Sequence, residues 1–259
     1  MLRLIKKIYR ALRLAKQINW VKTLYFNFKM LPFNTAKKLP VVFYGKHQLS
    51  GLNGKVNIVN TPICFGIAEF GHNKELVKQR LGRSELRIDG ILNINGKFQT
   101  GNDTVIIVTK GAELSIGDGS YFGAKTKVIC TKKIALGKGF RFGFESIVSD
   151  SNYHFTINLE TNKVERFQKE ITIGDYCWVG NRSSIMKGTN TPNYLIVASN
   201  SVLNKDYTQT IAEYSLIGGI PAKLIKNNIV RVFDGRVESE IALFFANNPD
   251  AAYYTIPKE

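Results

Sequence analysis

Three cysteines, three methionines, three histidines and no acidic residue before Glu69 are what this chain of 259 residues is poor in. Each scarcity excludes something. Cys64, Cys130 and Cys177 are odd in number and lack paired ligand spacing, which argues against a disulfide framework and a cysteine-bound metal. Cys177 falls in a slot otherwise held by small residues, so it reads as a packed, reduced thiol of a cytoplasmic protein. His47, His72 and His154 are too scattered to build a site of several histidines, and no metal is expected. No apolar run reaches the roughly 20 residues a membrane span requires. A signal peptide is a poor reading too, because the early cations are spread through the segment with no uninterrupted apolar stretch.

Positive charge is abundant. The 36 Lys and Arg outnumber 20 Asp and Glu, and the net charge of +16 points to anionic partners. Residues 1–40 hold ten of the cations and no acid, and neither Gly nor Pro interrupts them before Pro32. On a helix Leu4, Ile5, Ile8, Leu12, Ala15 and Ile18 share one face and Arg3, Lys6, Lys7, Arg10 and Arg13 the other. Two readings stay open: a helix packed on the end of the main domain, or an interfacial helix that brings Trp20, Tyr25, Phe26 and Phe28 to the headgroups of an anionic membrane. No recognised nucleic-acid module accompanies the charge, and no nucleic acid is expected as a partner.

The stretch from Ile171 to Lys226 organises the rest. Ile173, Val179, Ile185, Thr191, Val197 and Leu203 recur every sixth residue, which is neither the helical period nor simple strand alternation. Small residues follow at Gly174, Gly180 and Ala198, and again four places on at Cys177, Ser183, Thr189 and Ser201. The pattern describes short strands joined by tight corners, with one aliphatic side chain per face filling a narrow interior. It predicts an all-β solenoid of stacked parallel coils over 41–226.

Earlier coils are looser. Pairs such as Val56 and Ile58, Ile63 and Phe65, Leu86 and Ile88, Leu92 and Ile94, Val105 and Ile107, and Leu114 and Ile116 are read as inward-facing. The period tightens at Ile116, Phe122 and Val128, and again at Leu136, Phe142 and Val148. Residues 150–170 then leave the coil as an excursion carrying Asp150-Ser151-Asn152-Tyr153-His154; long loops inside compact repeats are usually functional. After Lys226 the repeat stops, and a helix N-capped by Asp234 is expected within 227–259, covering the open end of the solenoid.

Taken together, the six-residue columns, SDSNYHF, ITIGDYCWVGNRSSIMKGT and GGIPAKLIK resemble the left-handed β-helix O-acetyltransferases of surface-polysaccharide and O-antigen biosynthesis. The likeness covers about residues 85–226. It implies a homotrimer of triangular prisms, with acetyl-CoA and a glycan or lipid-linked glycan acceptor meeting in clefts between subunits. The left hand is an exception to the usual crossover rule and is implied by the family alone.

Transfer of an acetyl group to a sugar hydroxyl needs a base at that hydroxyl, and an imidazole of ordinary pKa, about 6.5, suits the task when its second nitrogen is held by a partner. His154 is the candidate base, with Asp150 or a backbone carbonyl as the orienting group. Relatives often carry a further acid where this chain has Asn152. The resemblance places the pantetheine arm along Trp178, Gly180, Asn181 and Ser199, and the CoA phosphates near Lys205, Lys223 and Lys226, although Ala198-Ser199-Asn200 stands where relatives commonly have Gly-Ala-Gly. Lys125, Lys127, Lys132, Arg141 and Glu145 are expected on the excursion's side, either facing the acceptor or as a solvated edge.

The function this predicts is acetyl-CoA-dependent O-acetylation of a bacterial surface polysaccharide or its lipid-linked precursor, by a cytoplasmic protein peripheral to the inner face of the membrane. Two rivals remain: an N-acetyltransferase acting on an amino-sugar nucleotide, and a non-catalytic scaffold.

Overall fold

A computed structural model describes residues 15–72 and 82–256, so the expected helical face around Leu4, Ile5, Ile8 and Leu12 lies outside the described residues. The chain divides after Ile229 into two units. The first is a solenoid with three faces. One face has nine strands, from Val41–Phe43 through Ala68–His72, Phe98–Gly101, Ser120–Phe122, Arg141–Phe142, Trp178–Val179 and Ile196–Val197 to Leu216–Gly219, closed by the antiparallel Ala222–Lys226. A second face has seven strands, from His47–Leu52 to Val202–Leu203, and a third has five, from Lys55–Ile58 to Ile171–Ile173. Successive strands of a face come from successive coils and pair in parallel.

The six-residue period is the reason. Ile173, Val179, Ile185, Thr191, Val197 and Leu203 are all buried, one per face as the chain turns. Removing each aliphatic side chain from water contributes about 1.5–3 kcal/mol. The small residues after them answer to the neighbouring coil: a Cβ on Gly180 would lie 2.6 Å from the Ser199 nitrogen, and one on Gly174 would lie 2.5 Å from the Pro192 oxygen. Buried Cys177 occupies its small-residue slot with its thiol directed at the Pro192 carbonyl, 3.2 Å away, and burial pushes that thiol up to about 11. Cys130 is likewise buried, Cys64 is exposed, and all three are free.

Two expectations for the early coils need correction. Within Val105–Val108 the inward residues are Ile106 and Val108, because the strand pairs with Lys127–Cys130 in the register that sets Ile106 beside Val128; Val105 and Ile107 therefore face outward. Phe65 lies in a loop, half exposed, instead of in a strand. The sequence pattern also overlooked an aromatic column inside the prism, where Phe43 stacks on Phe70 and rings follow at Phe98, Phe122 and Phe142.

Helix α1 (Trp20–Met30) caps the first strand, and it does so with polar groups. Asn27 donates to the Val41 carbonyl at 2.7 Å and accepts from the Val41 N–H at 3.2 Å. Thr23 Oγ1 accepts from the Phe43 N–H at 3.1 Å, and the Asn19 N–H donates to the Phe43 carbonyl at 2.7 Å. A short helix α2 (Phe33–Ala36) leads into the strand. Phe26, expected at a membrane surface, is instead buried with its ring 5.3 Å from that of Phe43.

The second unit contains helix α3 (Gly235–Asn247). Asp234 is its N-cap, accepting from the Arg236 N–H at 2.8 Å, and Tyr254 donates to Glu240 at 2.6 Å. No helix among the described residues is long and apolar enough to cross a membrane.

Candidate active site

The excursion leaves at the edge between the second and third faces. Its base is stapled to the coil before it by Asp150, which is fully buried. One carboxylate oxygen accepts from the N–H and hydroxyl of Thr131, both at 2.8 Å; the other accepts from the N–H groups of Lys132 and Lys133, at 2.7 and 2.8 Å. A carboxylate offers about four acceptor positions, and these four bonds use them. Gln168 adds a bond to the Thr131 carbonyl, and the Lys169 N–H returns to the Asp150 carbonyl. Beyond this base the chain forms an antiparallel hairpin, Ile157–Asn158 with Lys163–Val164, steadied by an edge-on contact of Phe155 and Phe167.

His154 is exposed on this projection. The expectation that Asp150 orients it is corrected: the carboxylate is held by the 131–133 corner and has no free position for the imidazole. The other two histidines lie in the early coils. His72 is buried with Nε2 2.7 Å from Glu69 and its ring against Tyr44. His47 is buried beside Phe43; desolvation pushes it down to about 4, the nearby Gly45 backbone opposing the shift without completing a hydrogen bond. No group of His, Cys, Asp and Glu suited to a metal ion occurs among the described residues.

Most of the expected cofactor residues gather on a different part of the prism. Gly180, Asn181 and Ser199 form adjacent corners of the edge between the first and second faces: the Asn181 N–H donates to Ser199 Oγ at 3.1 Å, and Asn181 Oδ1 accepts from the Phe144 N–H at 3.2 Å. Trp178 lies two residues earlier on the first face, 41 % exposed. It shares an outward row with Ile196, Leu216 and Lys226, and Lys223 sits on the same closing strand opposite Gly218. Three strand spacings of about 4.8 Å separate Trp178 from Lys226. Lys205 does not join them. It lies at the edge between the second and third faces, its ammonium 5.4 Å over the Tyr207 ring, which corrects its grouping with Lys223 and Lys226.

The expected acceptor residues are split as well. Only Lys132 of that set lies at the excursion's edge, 3.1 Å from Glu170. Lys125, Lys127 and Glu145 line a groove of about 560 Å³ with Arg83 and Asp103 on the edge that also carries Asn181 and Ser199. Arg141 stands on the first face beside Trp178, with Tyr121 and Gln99 next in the row, and these three line a second groove of about 260 Å³. Tyr121 and Gln99 were missed. The signal was present for Tyr121: like Arg141 and Trp178, it precedes an inward residue of the first face, Phe122, Phe142 and Val179 respectively.

Parallel three-faced coils, a helical start and a histidine-bearing excursion define the class: the chain is a left-handed parallel β-helix built on a six-residue repeat. It is 24% identical to the crystal structure of the polySia specific acetyltransferase NeuO, with a TM-score of 0.57, covering 79% of this chain and 87% of that one. Among curated proteins, it is 31% identical over 126 residues to the polysialic acid O-acetyltransferase of Escherichia coli O1:K1 / APEC, an alignment covering 48% of this chain and 40% of that protein's length. It is 25% identical over 210 residues to an uncharacterized 24.8 kDa protein in the cps region of Klebsiella pneumoniae, covering 78% and 86% of the two chains. No family model matches the chain.

Proposed function

We propose that this protein is an acetyl-CoA-dependent O-acetyltransferase that modifies a sugar hydroxyl of a bacterial surface polysaccharide, or of its lipid-linked precursor, in the cytoplasm. The observation that carries the reading is the separation on one prism of two halves of a site. The imidazole of His154 projects from one edge, and the small-residue corner of Gly180, Asn181 and Ser199 lies on the next. The strands of the second face lie between these two edges. Side by side in a homotrimer, the hairpin of one copy reaches the corner of its neighbour, and both halves face one cleft.

Acetyl-CoA supplies the activated acetyl thioester. Trp178 offers an exposed ring face to its pantetheine arm, while the corner at Asn181 and Ser199 offers backbone and hydroxyl groups. Lys223 and Lys226 provide positive charge for its phosphates at the closing strand. His154 takes the proton of the acceptor hydroxyl as its oxygen bonds to the acetyl carbon, and returns that proton to the departing thiolate. No covalent acyl-enzyme is needed. A backbone N–H of the corner wall meets the developing oxyanion. Arg83, Lys125 and Lys127, with two carboxylates among them, suit an acceptor that is anionic but presents hydroxyls as well.

The test is acetylation by the purified chain of a panel of bacterial glycans, read as a mass shift of the glycan. The expected result is acetyl ester formation by the wild-type chain and its loss in His154→Ala, with CoA binding retained. Absence of acetylation on every hydroxyl-bearing glycan, or full turnover by His154→Ala, overturns the proposal.

A further inference from the structure

Helix α1 turns its polarity the wrong way round for a helix that packs on an apolar core. Its buried residues are Thr23, Phe26 and Asn27, and two of these three are polar side chains that satisfy the edge of the first strand. Those bonds fix which face points away from the solenoid. The outward stripe is Trp20, Val21, Leu24, Tyr25 and Phe28, spaced as one helical face, and Phe33 of α2 continues it with its ring 6.0 Å from that of Phe28. All six are between 43% and 75% exposed. An apolar patch of this kind contributes nothing to folding in water and marks a contact surface.

What surrounds the patch identifies the partner. Lys16, Lys29, Lys37 and Lys38 are exposed around it, and no acidic residue occurs before Glu69 to neutralise them. The occupant must therefore accept aromatic and aliphatic side chains and carry negative charge at its rim. A second copy of the same face would bring lysines against lysines. A bilayer containing anionic phospholipid meets both requirements at once, with the convex stripe sunk to the depth of the headgroups and the lysines among the phosphates. We propose that the outward face of α1 and Phe33 docks the protein on an anionic membrane surface. The proposal stands independently of the acyl-transfer reading, because it concerns the opening coil and needs neither acetyl-CoA nor an acceptor.

The experiment is co-sedimentation of the full chain with vesicles of phosphatidylcholine, either alone or with about one third phosphatidylglycerol, read together with the emission of Trp20 in a Trp178→Phe background. Binding is expected only with the anionic vesicles, accompanied by a blue shift of the emission, and is expected to weaken at least about tenfold on going from low to physiological salt. Leu24→Glu with Phe28→Glu, and separately Lys29→Gln with Lys37→Gln and Lys38→Gln, should each reduce partitioning at least about tenfold. Because these side chains are exposed, both variants should keep the wild-type unfolding midpoint. No association with anionic vesicles at low salt overturns the proposal, as does undiminished association of both variants. It also falls if Leu24→Glu with Phe28→Glu leaves vesicle binding intact and lowers the molar mass in solution, since the face would then join copies of the chain.

Discussion

Two acid–histidine pairs lie at similar spacing in this sequence, and the fold treats them oppositely. Glu69 and His72 belong to one strand of the early coils, where they meet at 2.7 Å, the histidine buried and the acid partly so. Burial pushes Glu69 up, but bonds from His72, Gln99 and Tyr44 more than offset it and leave its carboxyl below the ordinary range. Tyr44, buried beside that carboxylate, is pushed up to about 12. Asp150 and His154 occupy the root and stem of a loop. There the acid faces the three amides of a tight corner, which bind a carboxylate more strongly than one imidazole can, and the histidine is left exposed. A paired, dry histidine is a structural part; an exposed one on a pinned projection is available to a substrate.

That contrast can be broken most sharply at catalysis. Under the proposed function, His154→Ala should lower acetyl transfer by about 10²–10⁴-fold while shifting the unfolding midpoint little, whereas His72→Ala should do the reverse. Copies carrying only His154→Ala mixed with copies carrying only Asn181→Trp should recover about a quarter of wild-type activity if sites are shared between neighbours in a trimer. No recovery would place each complete site within one chain.

The next effect concerns acid stability. His47 is pushed down to about 4 by burial, so the folded state resists its protonation while the unfolded chain does not. The stability it contributes is present above about pH 6.5 and is lost as pH falls toward 4, by about 3 kcal/mol in all. Denaturant unfolding at several pH values should show that loss, and His47→Leu should flatten it; an unchanged slope in the variant would refute the assignment. Glu69, with its lowered carboxyl, contributes in the same direction at more acid pH, its share being lost as pH falls through its folded value.

Asp150→Asn should cost about 2–3 kcal/mol, because an amide NH₂ would then oppose two of the backbone donors of the 131–133 corner. Thermal unfolding measures the loss. A variant as stable as wild type would mean that the staple is unimportant. Glu69→Gln keeps an acceptor for Tyr44 but turns an amide donor toward His72 and the Gln99 amide, which can rotate to offer its oxygen, and should cost less, about 1 kcal/mol by the same measurement.

Much of this architecture was legible because the period is a packing requirement. One residue in six must turn inward to fill the prism and is nearly always apolar, and Gly174 and Gly180 must be small because the next coil's backbone lies against them. The early coils resisted the same reading at Val105–Val108, where four aliphatics in a row carry no alternation and only the neighbouring strand decides which two turn inward. Which strand or corner a residue occupies can be counted along the chain, but which residues come together cannot. Lys205 and Lys223 look alike in the sequence, yet corner counting sends one to the excursion's edge and the other to the closing strand. Asp150 and His154, four residues apart, appeared to be partners until the corner at Thr131 was seen to claim the carboxylate.

A solenoid exposes at its first coil a strand with an open row of amides and carbonyls, a template on which another chain could grow into a fibre. Here the side-chain amide of Asn27 imitates a missing peptide, giving and receiving as a neighbouring strand would, while Thr23 and Asn19 occupy the other two positions. Replacing Asn27 by Leu would leave the Val41 N–H and carbonyl without partners, so one carboxamide closes the part of the edge that Thr23 and Asn19 do not reach.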